Sequence, residues 1–222
     1  MADIYPRKRY TTRRVSTTRR APARRTTTRR MYQIPRGYPR GTRAELKAVD
    51  TTVNQVADTT GAVTLINGIA RGDDINERVG RRVRLASLQA SIVNYVTPTT
   101  GIDQTHRCLI VYDKQSNGVA PAITDVLVSA STVSMPNLDN RQRFVILYDK
   151  LMHLNASAEP GSMVAFKISK RLPYGVQFNS GDAGTVADIQ TGGLFFITIG
   201  SIAAGGTAGH FSGRIRVRYT DM

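Results

Sequence analysis

Hydrophobic positions recur along this chain with two rhythms, and neither is the 3.6-residue period of a long helix. Near the C-terminus, "HFSGRIRVRYT" (210–220) alternates. Phe211, Ile215, Val217 and Tyr219 share one side, and Arg214, Arg216 and Arg218 share the other. In "AELKAVD" (44–50) Leu46 and Ala48 alternate with Glu45 and Lys47, and in "MVAFKISK" (163–170) Val164, Phe166 and Ile168 share a side. The second rhythm is an unbroken apolar run. "HRCLIVYD" (106–113), "RFVILYDKLMHL" (143–154) and "GLFFITIGSI" (193–202) have continuous apolar cores, as strands covered on both faces do. "RRVRLASLQASIVNYV" (81–96) is rich in β-branched residues and closed by Thr97-Pro98; with the short "YGVQF" (174–178) it completes eight predicted strands.

Loops rich in Gly, Asn, Ser and Asp separate these runs, among them "NSGDAGTVADIQTGG" and "AAGGTAGH". Only "APAITDVLVSA" (120–130) predicts a brief helix, with Ile123, Val126 and Leu127 at helical spacing. Many strands, little helix and no βαβ rhythm predict an all-β, antiparallel fold. Eight strands with several long connections favour a two-sheet jelly roll over an up-and-down barrel.

Charge divides the chain in two. Residues 1–43 hold 14 Lys and Arg against one acid, Asp3, whereas residues 44–222 hold 17 against 15. "RKRYTTRRVSTTRRAPARRTTTRR" (7–30) contains no acid, and its arginines come in pairs. Such a segment has too little to bury to offset the entropy of ordering it, so it is expected to stay unstructured until it meets a polyanion. Tyr, Pro and Gly in "MYQIPRGYPRGTR" (31–43) mark a linker. The expected organisation is therefore a basic arm and linker (1–43) and a β domain (44–222). Paired guanidinium groups suit nucleic-acid phosphates, which they neutralise without reading bases. The candidate contacts are Arg7, Lys8, Arg9, Arg13, Arg14, Arg19, Arg20, Arg24, Arg25, Arg29 and Arg30, with Tyr5, Tyr10 and Tyr32 as stacking partners. Such runs also serve nuclear import. A mitochondrial transit peptide fits less well, because no apolar face emerges. Inside the domain, Arg214, Arg216 and Arg218, like Arg81, Arg82 and Arg84, have two readings: a basic lining continuous with the nucleic-acid surface, or a solvated face balanced by cross-strand acids such as Glu45.

Catalytic and cofactor chemistry find little footing. Gly72-Asp73-Asp74 resembles a paired-carboxylate metal site, but it reads better as an acidic turn that Arg78 neutralises. His106, His153 and His210 are scattered without metal-ligand spacing. The lone Cys108 lies in an apolar strand, where it packs as a small hydrophobe and has no pairing partner. "GGTAG" (205–209) lacks the ending of a phosphate loop, so no cofactor is expected. Asn155-Ala156-Ser157 is a formal glycosylation sequon, without a secretory signal to make it relevant. No apolar run approaches the ~18 residues that span a bilayer, and no membrane partner is expected.

The order of features resembles a known family. "YPRKRY" leads through the arm to "ELKAVDTTVN" and "VTLINGIARGDDINERVGRRVRLASLQASI", in which Gly72, Arg78, Gly80, Arg81, Leu85 and Ser87 carry the likeness; "CLIVYDKQSNGVAPAITDVL" extends it. This resembles the coat proteins of small circular single-stranded DNA viruses, the circovirus-like group. The resemblance implies a non-enzymatic capsid subunit with a jelly-roll fold. Roughly sixty copies would close an icosahedral shell of T=1 type around a single-stranded DNA genome, with arms inside. The basic runs make host nuclear import machinery an expected partner, and residence is expected in the virion and, during assembly, the host nucleus. A similar plan occurs in the coats of small satellite RNA viruses, and a basic-tailed cellular nucleic-acid-binding protein is a further alternative. Host and receptor are not legible in the chain.

Overall fold

The computed structural model describes residues 45–96, 101–155, 162–205 and 207–222. The chain divides into two units, Met1–Gly41 and Thr42–Met222, and the first lies wholly outside the described residues. In the second, ten strands run in chain order: β1 (Leu46–Ala57), β2 (Ala62–Leu65), β3 (Arg82–Tyr95), β4 (Gln104–Asp113), β5 (Phe144–Leu154), β6 (Met163–Arg171), β7 (Gly175–Phe178), β8 (Ile189–Thr191), β9 (Gly193–Gly200) and β10 (Gly209–Asp221). They form two antiparallel sheets. The first has the order β1-β10-β3, with both β6 and β7 pairing β3 and β8 closing on β7; the second runs β2-β9-β4-β5. The long pairings are nested: β1 with β10, β2 with β9, β3 with β6, and β4 with β5. A single long hairpin rolled up on itself gives this nesting. The fold is a jelly roll.

The core follows the alternation. Leu88, Ile92, Phe211, Ile215 and Val217 of the first sheet pack against Cys108, Ile110, Leu194 and Phe196 of the second. A polar cluster crosses this interior. His106 is fully buried, with Nε2 3.0 Å from Gln104 Oε1 and Nδ1 2.8 Å from Asn94 Oδ1. Gln104 is locked, since its Oε1 accepts from Gly209 N (2.9 Å) and its Nε2 donates to Thr207 O (2.6 Å). Burial, helped by nearby His210, pushes the His106 pKa down to about 4. The neutral ring donates from Nε2 to Gln104 and accepts at Nδ1 once Asn94 turns its amide, whose NH2 otherwise faces only Met152 Sδ.

The unbroken apolar runs are explained by a second core on the far side of the second sheet. Leu109 and Val111 of β4 and Phe195, Ile197 and Ile199 of β9 point away from the main core, where Ile123, Val126, Leu127 and Phe144 cover them. The covering segment holds the brief helix predicted within 120–130. It contains one turn, α1 (Ile123–Val126), and Leu127 is already extended, with φ −116° and ψ 155°. Ile123 and Val126 face the second core from that turn, and Leu127 reaches it from the extended residue that follows. Arg107 pins this cover from below. Its Nε and Nη2 donate to Asp149 (2.8 and 2.6 Å), and Nη1 donates to the carbonyls of Thr132 (3.2 Å) and Ser134 (2.5 Å). Gly61, in the β1–β2 turn, has φ +69°, and a Cβ there would collide with Ile123 and the Thr198 carbonyl.

At the start of β1 the apolar-inward expectation inverts. Leu46 is exposed and Lys47 is buried, with Nζ 3.3 Å from Asp221 Oδ2 and donating to Glu77 O at 3.1 Å. A partnered ammonium is tolerated there because the stem is apolar and the head finds a carboxylate.

Candidate nucleic-acid interface

Arg214, Arg216 and Arg218 project from the first sheet on the side opposite the buried Ile215, Val217 and Tyr219. Register builds a surface around them. Across β3 they meet Ser91, Gln89 and Ser87, and across β1 they meet Thr52, Asp50 and Ala48. Beyond β3, the same rows continue to Lys167, Ser169 and Arg171 of β6. Arg82 and Arg84 extend the surface along β3, exposed on either side of the buried Val83. Seven cations thus share one sheet face: Arg82, Arg84, Lys167, Arg171, Arg214, Arg216 and Arg218. Among the described residues Asp50 is its only acid. Away from this face the described residues carry ten Lys and Arg and thirteen Asp and Glu.

Asp50 sits opposite Arg216 and accepts two hydrogen bonds from it, from Nε and from Nη2, both 2.6 Å. The hydrogen bond from Arg216 holds the Asp50 carboxyl below its usual range and raises the guanidinium pKa in return. The balancing acid is therefore Asp50 and not Glu45, which precedes β1. It neutralises one arginine of the seven cations. Arg81 is out of phase with Arg82 and Arg84, and its carbonyl accepts from Phe178 N (2.8 Å) where β7 joins the sheet.

The remaining candidates have structural roles. Arg78 does not neutralise Asp73 and Asp74. It is fully buried, donates from Nε to Ile69 O (3.2 Å) and from Nη1 to Gly80 O (3.0 Å), and lies 4.2 Å over the Phe178 ring. It ties the long β2–β3 connection to the loop after β7, where Nη2 donates to Gly181 O (2.5 Å). Asp73 and Asp74 lie in an exposed turn closed by Glu77 N donating to Asp74 O (3.0 Å). Cys108 is buried in the main core, which pushes its thiol up to about 12. His210 stacks on Tyr95 with centroids 5.6 Å apart, and His153 is exposed, 4.0 Å from Asp103. The arm cations from Arg7 to Arg30 and the rest of the Asn155 sequon lie outside the described residues.

A jelly roll with one cationic sheet face and a cationic arm narrows the field, and sequence relatives decide it. The family model of the satellite tobacco necrosis virus coat protein matches residues 11–222. The chain belongs to that coat protein family. It is 27% identical over 157 residues to the coat protein of Satellite tobacco necrosis virus 2, covering 70% of this chain and 76% of that one. It is 31% identical over 150 residues to the capsid protein of Satellite tobacco necrosis virus 1 (66% and 73% covered). To the coat protein of Maize white line mosaic Satellite virus it is 29% identical over 185 residues (81% and 80% covered).

The match corrects the resemblance to circovirus-like DNA-virus coats. Gly72, Arg78, Gly80 and Ser87 are short signals, and the structure gives them local reasons: Arg78 fastens a loop and Ser87 sits at a register position of β3. A single-stranded DNA genome, nuclear import machinery as a partner and a nuclear assembly stage find no support in the satellite family. The role of this coat protein is structural, not enzymatic; its copies associate with one another, and its place is the virion.

Proposed function

We propose that copies of this chain close an icosahedral shell, of roughly sixty subunits, around the single-stranded RNA of a satellite-type virus. Two cationic surfaces neutralise the packaged strand: the arm, through Arg7, Lys8, Arg9, Arg13, Arg14, Arg19, Arg20, Arg24, Arg25, Arg29 and Arg30, and the outer face of the first sheet. The observation that carries the reading is the segregation of charge. Seven cations and one acid share a single sheet face, while the rest of the described body has more acids than bases. Exposed guanidinium and ammonium groups on an open sheet bind phosphate, not base edges, so packaging is largely independent of sequence. Closing a shell crowds like charges together, so assembly and RNA binding are coupled.

The test is salt-dependent binding of a single-stranded RNA by the full chain and by a chain lacking residues 1–30. If the eleven arm cations each displace ~0.7 ions, truncation flattens the slope of log K against log salt by roughly 8. A truncated chain that packages RNA as well as the full chain would refute the arm's role. Digestion of the co-purifying nucleic acid by ribonuclease, and not by deoxyribonuclease, is the result expected for the genome.

A further inference from the structure

The cations on the first sheet are ordered, and the order repeats. One row across β10, β3 and β6 reads Arg214–Ser91–Lys167; the row four residues along reads Arg218–Ser87–Arg171. Each places a hydroxyl between two cations. The row between them, Arg216–Gln89–Ser169, is different, because Asp50 already neutralises Arg216. None of the four cations in the outer rows makes an ion pair among the described residues. The surface is also concave. A cleft of about 430 Å³ opens over the first two rows, lined by Arg214, Ser91, Lys167, Gln89, Ser169 and Asp50 among others.

We propose that these rows are two phosphate clamps, Arg214–Ser91–Lys167 and Arg218–Ser87–Arg171, that hold successive portions of one single-stranded RNA backbone running along β3. This rests on the RNA-packaging reading above. The two cations of a clamp stand two strands apart, ~10 Å at the backbone, so their long side chains converge on one phosphate above the central serine. Arginine grips that phosphate with parallel N–H donors, and Lys167 adds a compact point charge. The serine hydroxyl supplies a third donor from below. Four residues separate the clamps along the strand, ~13 Å, the span of about two nucleotides of an extended single strand. The neutral middle row then faces the intervening nucleotide, where Gln89 and Ser169 offer amide and hydroxyl partners to ribose or base instead of a third phosphate site.

The experiment measures binding of a 20-nucleotide oligouridylate to the full chain across a salt series. It compares the wild type with R214Q/K167Q, R218Q/R171Q and a control pair, K114Q/R141Q, on a different part of the body. Each clamp pair should flatten the salt slope by about 1.4, the two together by about 2.8, and the control pair should leave it unchanged. Ser91→Ala should weaken binding several-fold at constant slope, because it removes a donor and no charge. All of these side chains project outward, and unchanged melting of each variant checks that the fold persists. If the clamp pairs behave as the control pair does, or if all three pairs flatten the slope equally, the clamps are overturned and RNA packaging by the arm stands. If wild-type protein fails to bind the RNA, both readings fall.

Discussion

The two sheets of this jelly roll have outer faces that could hardly differ more. The first exposes Arg214, Arg216, Arg218, Lys167 and Arg171, with serines and Gln89 between them. The second presents Leu109, Val111, Phe195, Ile197 and Ile199, which Ile123, Val126, Leu127 and Phe144 cover. Both faces arise from the same period of two. What differs is whether the outward positions are cationic, which leaves a sheet face open to a polyanion, or apolar, which obliges the chain to provide a lid. A coat subunit needs both, one face to meet the strand it packages and a rigid wall to hold that face in shape.

The largest effects should come from the covered face. Phe195→Ala opens a cavity in the second core and should cost about 3–5 kcal/mol, read as a fall in thermal midpoint, whereas an outward change on the first sheet such as Gln89→Ala should leave the midpoint in place. Arg107→Met leaves the carbonyls of Thr132 and Ser134 without their donor, while the exposed Asp149 stays hydrated, so it should cost about 1–3 kcal/mol and render 127–138 sensitive to limited proteolysis.

His106, which joins the two sheets internally, sharpens the contrast through pH. Its folded pKa, about 4, lies below the unfolded value of 6.5, so between those values the unfolded chain binds the extra proton. Stability should therefore decline as pH falls from about 6.5 towards 4 and level off below it, by at most on the order of 3 kcal/mol. His106→Gln should flatten that window in denaturant titrations; an unchanged decline would place the acid sensitivity elsewhere. The smallest effect belongs to the open face. Asp50→Asn removes an exposed ion pair and should leave the melting midpoint alone, yet it frees Arg216 and should steepen the RNA salt slope by about 0.7.

The strands that matter most were legible because their patterns are extreme. The alternation of 210–220 gave both the buried and the cationic side of β10, and the unbroken runs at 106–113 and 193–202 announced a sheet covered twice. β2 and β8 escaped because four and three residues carry no period, set among Gly and Thr. β1 was read only to Asp50, since "TTVNQVA" looks polar; its inward positions alternate the polar Thr51 and Gln55, which bond to Ile66 O and Thr198, with Val53 and Ala57. The partner of the arginine face was misassigned to Glu45 because register is a tertiary quantity: only pairing with β10 sets Asp50 against Arg216. Lys167 and Arg171 were passed over as site residues for the same reason, since nothing local places β6 beside β3 in phase with β10. The choice of viral family failed for another reason. An arm joined to a jelly roll is a physical plan that different viruses share, and short motifs within it mark loops and turns more than lineage.

The central claim is that the open, cationic face of the first sheet meets the packaged strand. Ultraviolet cross-linking of intact RNA-filled particles, followed by mass spectrometry of the cross-linked peptides, tests it directly. Adducts should fall on the arm and on peptides carrying Lys167, Arg171 and Arg214 to Arg218, with none on 120–138. Adducts concentrated on 120–138, with peptides of β3, β6 and β10 unmodified, would contradict the account.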